Sequence, residues 1–442
     1  MTDTKKQPGI FFGWWTVLAS GFLCLWGFGY YAYGISALFK PIASDLGFNR
    51  ANTSIAAGIG RFEGGFEALI AGWITDRFGP KWIVFAGILL ASISLFLMVF
   101  INSLWAFLLV WGVLFGTGIN TALAIPLDTA ITNWFVKKRG VALSIKWVFS
   151  GFSGVLILPL IAWLITLVGW RTTCVIGGLV FGFIGLPMVL LFMRSHRPEH
   201  YGLLPDGAKV EEGLTDRAAL IDRGIAYAAE VQETEFTLKQ AMRTPAFWLL
   251  ILVQTVYGLV APAINIHGVP FLTDKGIHPL TAAAMMSLMI GASIPARFLG
   301  GLIADRIEIG RMRKVLALSY LLQALGMGLY MLNQTQMMIY VWFLLYGFGM
   351  GAGITLNTSI RARYFGRKAF GTIQGTASLF LTPVGVAAPI YAGWVYDTTG
   401  SYISAFWLFT ALLAVSSAIL PFVRPPKPPQ VLAENRGSLP EN

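Results

Sequence analysis

The sequence predicts an all-α integral membrane fold, with twelve transmembrane helices in two six-helix pseudo-repeat bundles. Of its 442 residues, 56% are hydrophobic and 12% are charged, whereas soluble domains carry about a quarter charged residues. Twelve apolar runs reach the length of about 20 residues that a helix needs to cross a bilayer core of about 30 Å. Each run must be helical, because lipid offers no partner for an unpaired backbone group.

The apolar runs follow one another along the chain and are joined mostly by short polar segments. They cover approximately residues 14–39, 52–75, 82–101, 104–128, 141–166, 173–193, 246–272, 280–303, 314–332, 337–359, 370–395 and 402–422. The first run is too long for a signal peptide and no small-residue cleavage site follows it, so we expect it to remain as the first span.

One long polar stretch separates the sixth run from the seventh. We expect a first six-helix bundle in residues 1–193, a cytoplasmic linker in 194–244, a second six-helix bundle in 245–423 and a disordered, proline-rich tail in 424–442. Within the linker, Thr237 and Gln240 have the spacing of a capping box, which predicts that a helix begins there.

The formal net charge of +11 is explained by topology. If the amino terminus is cytoplasmic, most lysines and arginines fall in loops on that side, as the positive-inside rule requires. The opposite side keeps only Lys40, Arg50, Arg171 and Lys275. We therefore expect a multi-pass protein of the inner (plasma) membrane, with both termini in the cytoplasm and no nucleic-acid partner.

Three short motifs occur twice, once in each half of the chain. The pairs are PIASDLG and PFLTDKG from Pro41 and Pro270, GWITDR and GLIADR from Gly72 and Gly301, and WFVKKRG and YFGRKAFG around Phe135 and Phe365. Their offsets are 270 − 41 = 229, 301 − 72 = 229 and 365 − 135 = 230. Chance seldom gives such agreement in corresponding loops, so the halves are predicted to be parallel repeats of one six-helix unit.

The repeated loop also carries a family resemblance. GWITDRFGPK after the second run resembles the signature loop of the major facilitator superfamily, and GGLIADR after the eighth run fits the same place. FFGWWTVLASGF, WFVKKRGVALSI, FTLKQAMRTPAFWLL, HGVPFLTDKGI and YFGRKAFGTIQG resemble segments of its monocarboxylate transporter and oxalate:formate antiporter branch. The resemblance implies two bundles around a cavity that opens alternately to each side, with small organic anions as cargo. It further implies that Asp76, Arg77, Asp305 and Arg306 gate the cavity, and that Arg297 binds the substrate carboxylate.

Arg297 is also unusual on chemical grounds. It lies eight residues before Asp305, hence about 12 Å inside the cytoplasmic end of its helix at about 1.5 Å per residue. An arginine in a low dielectric is costly unless paired, keeps its proton, and presents a fork that fits a carboxylate. It is therefore either a permanent ion pair with a neighbouring helix or a substrate site, and the family match favours the substrate site.

The second run carries Arg61, Glu63 and Glu67 where a plain apolar helix would suffice. The two glutamates are four residues apart and share a helix face, while Arg61 points elsewhere. One interpretation is an ion-pair network with other helices, and the other is a carboxylate that carries a proton. Arg61 is a candidate for a second substrate-binding cation.

Further polar candidates lie in the first and seventh runs. Tyr30 and Tyr33 are one helical turn apart and could offer hydroxyl groups to an anion, or could serve aromatic packing. Asn265 and His267 lie where nearby prolines weaken the helix, so they could contact a ligand or a proton. A structural role for the histidine is the alternative.

Asp128 and Lys146 flank the basic loop between the fourth and fifth runs, and a structural ion pair is expected between them. Asp128 could instead brace Arg77. Animal monocarboxylate transporters carry an aspartate one turn before the substrate arginine, where this chain has Ser293, so the proton-coupling candidates are Glu63, Glu67, Asp128 and His267. The oxalate antiporters carry a lysine in the eleventh span, and the corresponding run here has no basic residue, so a dicarboxylate clamp would need Arg61.

We expect a secondary transporter of small organic anions, such as lactate or pyruvate, coupled to protons or to a counter-anion and acting as a monomer in the bilayer. The alternatives are a carrier of a larger amphipathic solute, such as a drug or vitamin, and a membrane sensor that transports nothing. No Walker loop, HExxH, nucleophile elbow or haem pattern occurs, so neither an enzyme nor a cofactor is expected. Cys24 and Cys174 lack metal-ligand spacing and are expected to pack in the core.

Overall fold

A computed structural model describes residues 10–47, 50–210, 216–230 and 234–427. Within these ranges, side chains are described except at positions 36, 39, 40, 50–62, 217, 229, 279, 280 and 283. Among the described residues, every regular element is a helix. The disorder predicted for residues 424–442 falls almost wholly beyond residue 427 and so lies outside the described residues.

Twelve membrane-length helices, named spans 1 to 12 in chain order, make up the fold. In the first half, span 1 consists of Phe12–Phe28, a π-helical turn Gly29–Gly34 and Ile35–Leu46, span 2 is Arg50–Phe78, span 3 is Pro80–Phe100, span 4 is Leu104–Trp134, and spans 5 and 6 occupy residues 139–168 and 170–192. In the second half, spans 7 to 12 are Pro245–Asp274, Pro279–Arg306, Ile309–Leu332, Gln336–Phe365, Phe370–Thr399 and Ile403–Ile419.

Length and composition alone identify ten candidate spans among the described residues. One of the ten, Arg139–Phe192, contains two spans, because Gly169 adopts a φ of 76° and breaks the helix. Span 2 is the twelfth, and it is long enough to cross although Arg61, Glu63 and Glu67 lie along it. The predicted twelve-helix fold is therefore confirmed, with most helices running a few residues beyond their apolar runs.

The linker contributes two shorter helices, Arg217–Ala229 and Leu238–Met242. The predicted capping box is present at the second of these: Thr237 accepts from the Gln240 backbone N–H and the Gln240 side chain accepts from the Thr237 backbone N–H. Earlier in the linker, both carboxylate oxygens of Asp206 accept hydrogen bonds from the backbone N–H groups of residues 136–138, at 2.8–3.1 Å. The linker is thus fastened to the loop between spans 4 and 5.

Each half of the protein has its own apolar core, and the halves meet through two pairs of helices. Spans 7 to 12 surround one large hydrophobic cluster, and spans 1, 3, 4 and 6 supply most of another. Span 2 packs against span 11, and span 5 packs against span 8. The gate residues described below lie at these two crossings.

One end of the bundle, here called the gate face, carries the loops around residues 78–80, 134–139, 306–309 and 365–370 together with the linker. At this end a Cβ on Gly72 would overlap the carbonyl oxygen of Gly371, and a Cβ on Gly140 would overlap that of Gly301. Backbone therefore touches backbone at both crossings. The structure is closed at the gate face.

Candidate functional site

Arg297 is buried where spans 1, 5, 7 and 8 meet, with 4% of its surface exposed. Its Nη1 donates to the carbonyl oxygen of Trp147 at 2.6 Å, and its Nε has no hydrogen-bond partner among the described residues. The Tyr33 hydroxyl group accepts a hydrogen bond from the guanidinium, and Tyr257 lies close enough to act on it electrostatically. No acidic side chain among those described forms an ion pair with Arg297.

Two glycines of span 5 leave the space that these side chains occupy. A Cβ on Gly151 would lie 3.0 Å from Arg297 Nη1, and a Cβ on Gly154 would lie 3.3 Å from the Tyr33 ring. A buried guanidinium keeps its charge but loses its hydration, so a carbonyl and a phenol compensate it only in part. The arrangement can accept a carboxylate, which would take hydrogen bonds from the guanidinium.

Tyr30 is not brought to this site. Its side chain is fully buried, and its hydroxyl donates to the carbonyl oxygen of Thr173 in span 6 at 2.9 Å. Tyr30 and Tyr33 both lie in the π-helical turn Gly29–Gly34. Such a turn has more residues per turn than an α-helix, so residues three apart no longer share a face.

His267 and Asn265 are also separate from Arg297. The His267 ring lies between spans 7, 11 and 12, with Nε2 2.8 Å from the Pro389 carbonyl oxygen and Nδ1 3.2 Å from the Tyr402 hydroxyl. Both ring nitrogens are therefore satisfied within the second half. Asn265 is exposed, and span 7 remains one continuous helix despite its prolines.

The Glu67 carboxylate faces span 4. Glu67 Oε2 accepts from Asn120 Nδ2 at 3.0 Å, and Glu67 Oε1 accepts from the Thr117 hydroxyl. Glu63 interacts electrostatically with Glu67, and its Oε2 is buried with no hydrogen-bond partner among the described residues. The Arg61 side chain lies outside the described residues. Among the described side chains, the ion-pair network expected around these glutamates is not found, because the partners of Glu67 are neutral.

Asp128 and Lys146 form a fully buried ion pair, with 2.6 Å between Oδ1 and Nζ. The other carboxylate oxygen of Asp128 accepts from Gln374 Nε2 of span 11 at 3.1 Å, so the pair connects the two halves. The alternative in which Asp128 braces Arg77 is not observed, since the Arg77 guanidinium lies over the Trp73 ring at 5.4 Å.

Lys146→Met is expected to destabilise the folded protein by about 3–5 kcal/mol, because it leaves the Asp128 carboxylate buried without its countercharge. Thermal unfolding of the purified protein in detergent measures the change. The double variant Asp128→Asn/Lys146→Met removes both charges and should recover most of the lost stability. Equal stability of Lys146→Met and the unmodified protein would contradict a compensating ion pair.

Arg361 is a half-buried cation that the sequence did not single out. It lies near the end of span 10, where the sequence pattern placed it among the loop cations, yet its Nε is buried without a hydrogen-bond partner among the described residues. Arg361 and Asp128 interact electrostatically. The only signal available in the sequence was the unbroken helical pattern through NTSIRARYF, which keeps the helix running to Phe365.

The gate acids contact backbone rather than arginine. Asp76 accepts from the N–H groups of Gly371 at 3.0 Å and Thr372 at 2.6 Å, at the start of span 11. Asp305 accepts from the N–H groups of Gly140 at 2.5 Å and Val141 at 2.8 Å, at the start of span 5. A carboxylate at a helix amino terminus satisfies free N–H groups and the helix dipole together. Each half therefore caps a helix of the other.

Two further basic residues join the halves at the gate face. Arg139 Nη1 donates to the carbonyl oxygen of Ala362 at the end of span 10, at 3.0 Å. Arg367 Nη1 donates to the carbonyl oxygen of Asn133 at the end of span 4, at 3.2 Å. Arg306, by contrast, is exposed. The recurrence of KKRG as GRKAFG was the sequence signal for the reciprocal contacts of Arg139 and Arg367.

Two six-helix bundles that meet at reciprocal gates, with a buried cation between them, define a membrane transport protein. The chain belongs to the Major Facilitator Superfamily, whose family model matches residues 18–380 and 308–440. It is 23% identical over 422 residues to monocarboxylate transporter 13 of Rattus norvegicus, covering 95% of this chain and 91% of that protein.

Solved structures share the fold. The human organic anion transporter MFSD10 superposes with a TM-score of 0.67 at 15% identity, covering 94% of this chain and all of that one. The E. coli fucose:proton symporter FucP superposes with a TM-score of 0.66 at 16% identity, covering 92% of this chain and 98% of that one. At such low identity these similarities establish the fold alone. The cargo has to be inferred from the site.

Proposed function

We propose that this protein is a secondary transporter of small carboxylates, with monocarboxylates such as lactate or pyruvate as its cargo, and that Arg297 binds the carboxylate. The observation that carries the proposal is the buried guanidinium with no acidic partner among the described side chains. A permanent structural role would provide such a partner, because an uncompensated buried charge is costly. The name of the rat relative, a monocarboxylate transporter, agrees with this cargo.

The closed gate face indicates which step of the cycle the structure represents. Most basic loop residues lie at this face, so we propose that it is cytoplasmic. With this face closed, the binding site is separated from the cytoplasm. Return of the empty carrier then requires the span 2/span 11 and span 5/span 8 crossings to separate.

Glu67 is the proposed proton carrier. The Glu67 carboxylate accepts its hydrogen bonds from a neutral hydroxyl group and a neutral amide. It can therefore take up a proton without breaking an ion pair. Glu63 lies one turn away on the same helix. Asp128 is tied to Lys146 and His267 to Pro389 and Tyr402, which leaves both less free to exchange a proton. Exchange against a counter-anion is the alternative form of coupling.

Glu67→Gln is expected to make carboxylate uptake independent of an imposed pH gradient while carboxylate binding persists. Glutamine retains an oxygen for Asn120 but cannot take up a proton. Uptake into proteoliposomes, with and without an inward proton gradient, measures the effect, and the exposed Glu308→Gln serves as the matched control. An unchanged response to the gradient would reassign coupling to Glu63, Asp128, His267 or a counter-anion.

Carboxylate binding can be tested without transport. A thermal-shift series of the purified protein against lactate, pyruvate and larger carboxylates should show saturable stabilisation, because a ligand that binds only the folded state raises its apparent stability. The same series on Arg297→Ala should show none. Stabilisation by uncharged amphipathic solutes alone would support the larger-cargo alternative. Binding without solute accumulation in proteoliposomes would support the sensor.

A further inference from the structure

We propose that the gate face carries a second anion site, distinct from Arg297, which binds a phosphate group and holds the gate closed. The site is a cavity of about 180 Å³ between the two halves. A water molecule occupies about 30 Å³ of liquid volume, so the cavity has room for a phosphate group and a few waters. Its lining includes the basic side chains Arg77, His196, Arg197, His200, Arg367 and Lys368.

The charge of the lining favours an anion. Four lining side chains are permanent cations and one, Asp76, is an acid, which leaves an excess of 4 − 1 = 3 positive charges with both histidines neutral. Asp76 is itself occupied, since its oxygens accept from the amino terminus of span 11. Two acids adjoin the lining: Glu235 pairs with Arg197 at 2.6 Å and Glu199 with Arg367 at 3.5 Å. When Glu235 and Glu199 are counted together with Asp76, the excess of positive charge is still 4 − 3 = 1.

The lining of the cavity offers several donor side chains. Arg367, 3% exposed, forms part of the buried floor, while Arg77, His196 and Lys368 are exposed at the rim. The His196 and His200 rings stack with 4.8 Å between their centroids. No polar partner of the Lys368 ammonium is found among the described residues. A phosphate group has three or four acceptor oxygens and more charge than a carboxylate, so it matches a site with this many donors.

The origin of the lining side chains connects such an anion to the gate. Arg77 ends span 2 in the first half, and the histidines follow span 6 at the start of the linker. Arg367 and Lys368, by contrast, lie between spans 10 and 11 in the second half. These side chains surround one cavity only while the gate face is closed. A ligand that contacts both halves binds the closed state more tightly than the open state, and therefore shifts the population towards closure.

The phosphate can come from a free phosphate compound or from the headgroup of an anionic phospholipid at the gate face. The first experiment uses the full-length protein in detergent with inorganic phosphate, at ionic strength balanced with chloride. We expect a saturable rise in unfolding temperature. The same titration in Arg297→Ala should give the same rise, which separates this site from carboxylate binding, so failure here and failure of the proposed function are distinguishable.

Gate closure needs a direct measurement as well. Ser144, buried beside Gly301 at the span 5/span 8 crossing, can be replaced by cysteine as a reporter, since Cys24 and Cys174 are buried. Phosphate should slow labelling of Ser144→Cys by a maleimide. The double change Arg77→Gln/Lys368→Gln should weaken the effect of phosphate about tenfold or more, while Arg311→Gln/Lys314→Gln, which removes two exposed cations of the same face, should not.

A second arm identifies the source. Protein in nanodiscs of phosphatidylglycerol is compared with protein in phosphatidylcholine nanodiscs, using the same cysteine reporter. Slower labelling in phosphatidylglycerol, lost in Arg77→Gln/Lys368→Gln, would assign the site to a lipid headgroup. An effect of inorganic phosphate alone would assign it to a soluble phosphate compound. The proposal is overturned if neither probe slows labelling, or if the control pair Arg311→Gln/Lys314→Gln abolishes the effect equally.

Discussion

Replacing Arg297 by alanine is expected to lower the initial rate of carboxylate uptake by at least about 100-fold. The guanidinium would supply two charge-assisted hydrogen bonds to the carboxylate, each of about 1.5–3 kcal/mol, and 1.4 kcal/mol corresponds to about a tenfold change in affinity. Arg297→Lys keeps the charge but loses the fork, so it should retain a measurable fraction of uptake. Uptake of labelled lactate or pyruvate into proteoliposomes measures both variants.

The controls separate binding from folding. Arg311→Ala removes a cation that is 72% exposed and should leave uptake unchanged. Size-exclusion profiles and unfolding temperatures establish that Arg297→Ala is folded, and its fold should survive because no acid among the described side chains depends on Arg297. Unchanged uptake by folded Arg297→Ala would refute the carboxylate site. Uptake lost equally in the alanine and lysine variants would point to a packing role.

Neutralising the gate acids is expected to open the gate face. Asp76→Asn and Asp305→Asn each remove a carboxylate from the amino terminus of a helix in the opposite half, at a cost of about 1.5–3 kcal/mol for hydrogen bonds to a charged group. Each change should shift the closed-to-open ratio about tenfold or more towards open. The rate of maleimide labelling of Ser144→Cys reports the shift, and faster labelling is expected in both variants.

Asp76 and Asp305 occupy equivalent positions in the two halves, so the prediction extends to the double variant. Because each acid holds a different crossing, the double variant should open further than either single variant. Asp222→Asn, an exposed linker acid, is the matched control and should label at the original rate. Labelling that stays slow in both single variants would show that the backbone contacts close the gate without the carboxylates.

The fold was accessible from the sequence because its determinants are local or repeated. Apolar runs of membrane length fix the helices, and the matching loops near Gly72 and Gly301 reveal the two halves. Span 2 was identified in the same way, as the run 52–75, despite the charges of Arg61, Glu63 and Glu67. The boundary between spans 5 and 6 was also predicted, because the runs 141–166 and 173–193 lie on either side of Gly169, where the helix breaks at a φ of 76°.

The site was accessible only in part. Arg297 could be selected because an ionisable residue deep in an apolar run is costly and therefore informative. The separation of Tyr30 from Tyr33 could not be predicted, because it depends on a π-helical turn that no residue pattern announces. The neutral partners of Glu67 and the burial of the Arg361 Nε atom depend on which faces of distant helices meet. A single sequence does not show which faces these are.

The backbone contacts at the gate face also restrict how the two halves can be exchanged between relatives. Gly72 meets Gly371, and Gly140 meets Gly301, without space for even a methyl group. A chimeric transporter that joined this first half to another second half would close only if the new half presented bare backbone at the same two points. The halves resemble interchangeable modules in sequence, but at these crossings they are compatible only as a matched pair.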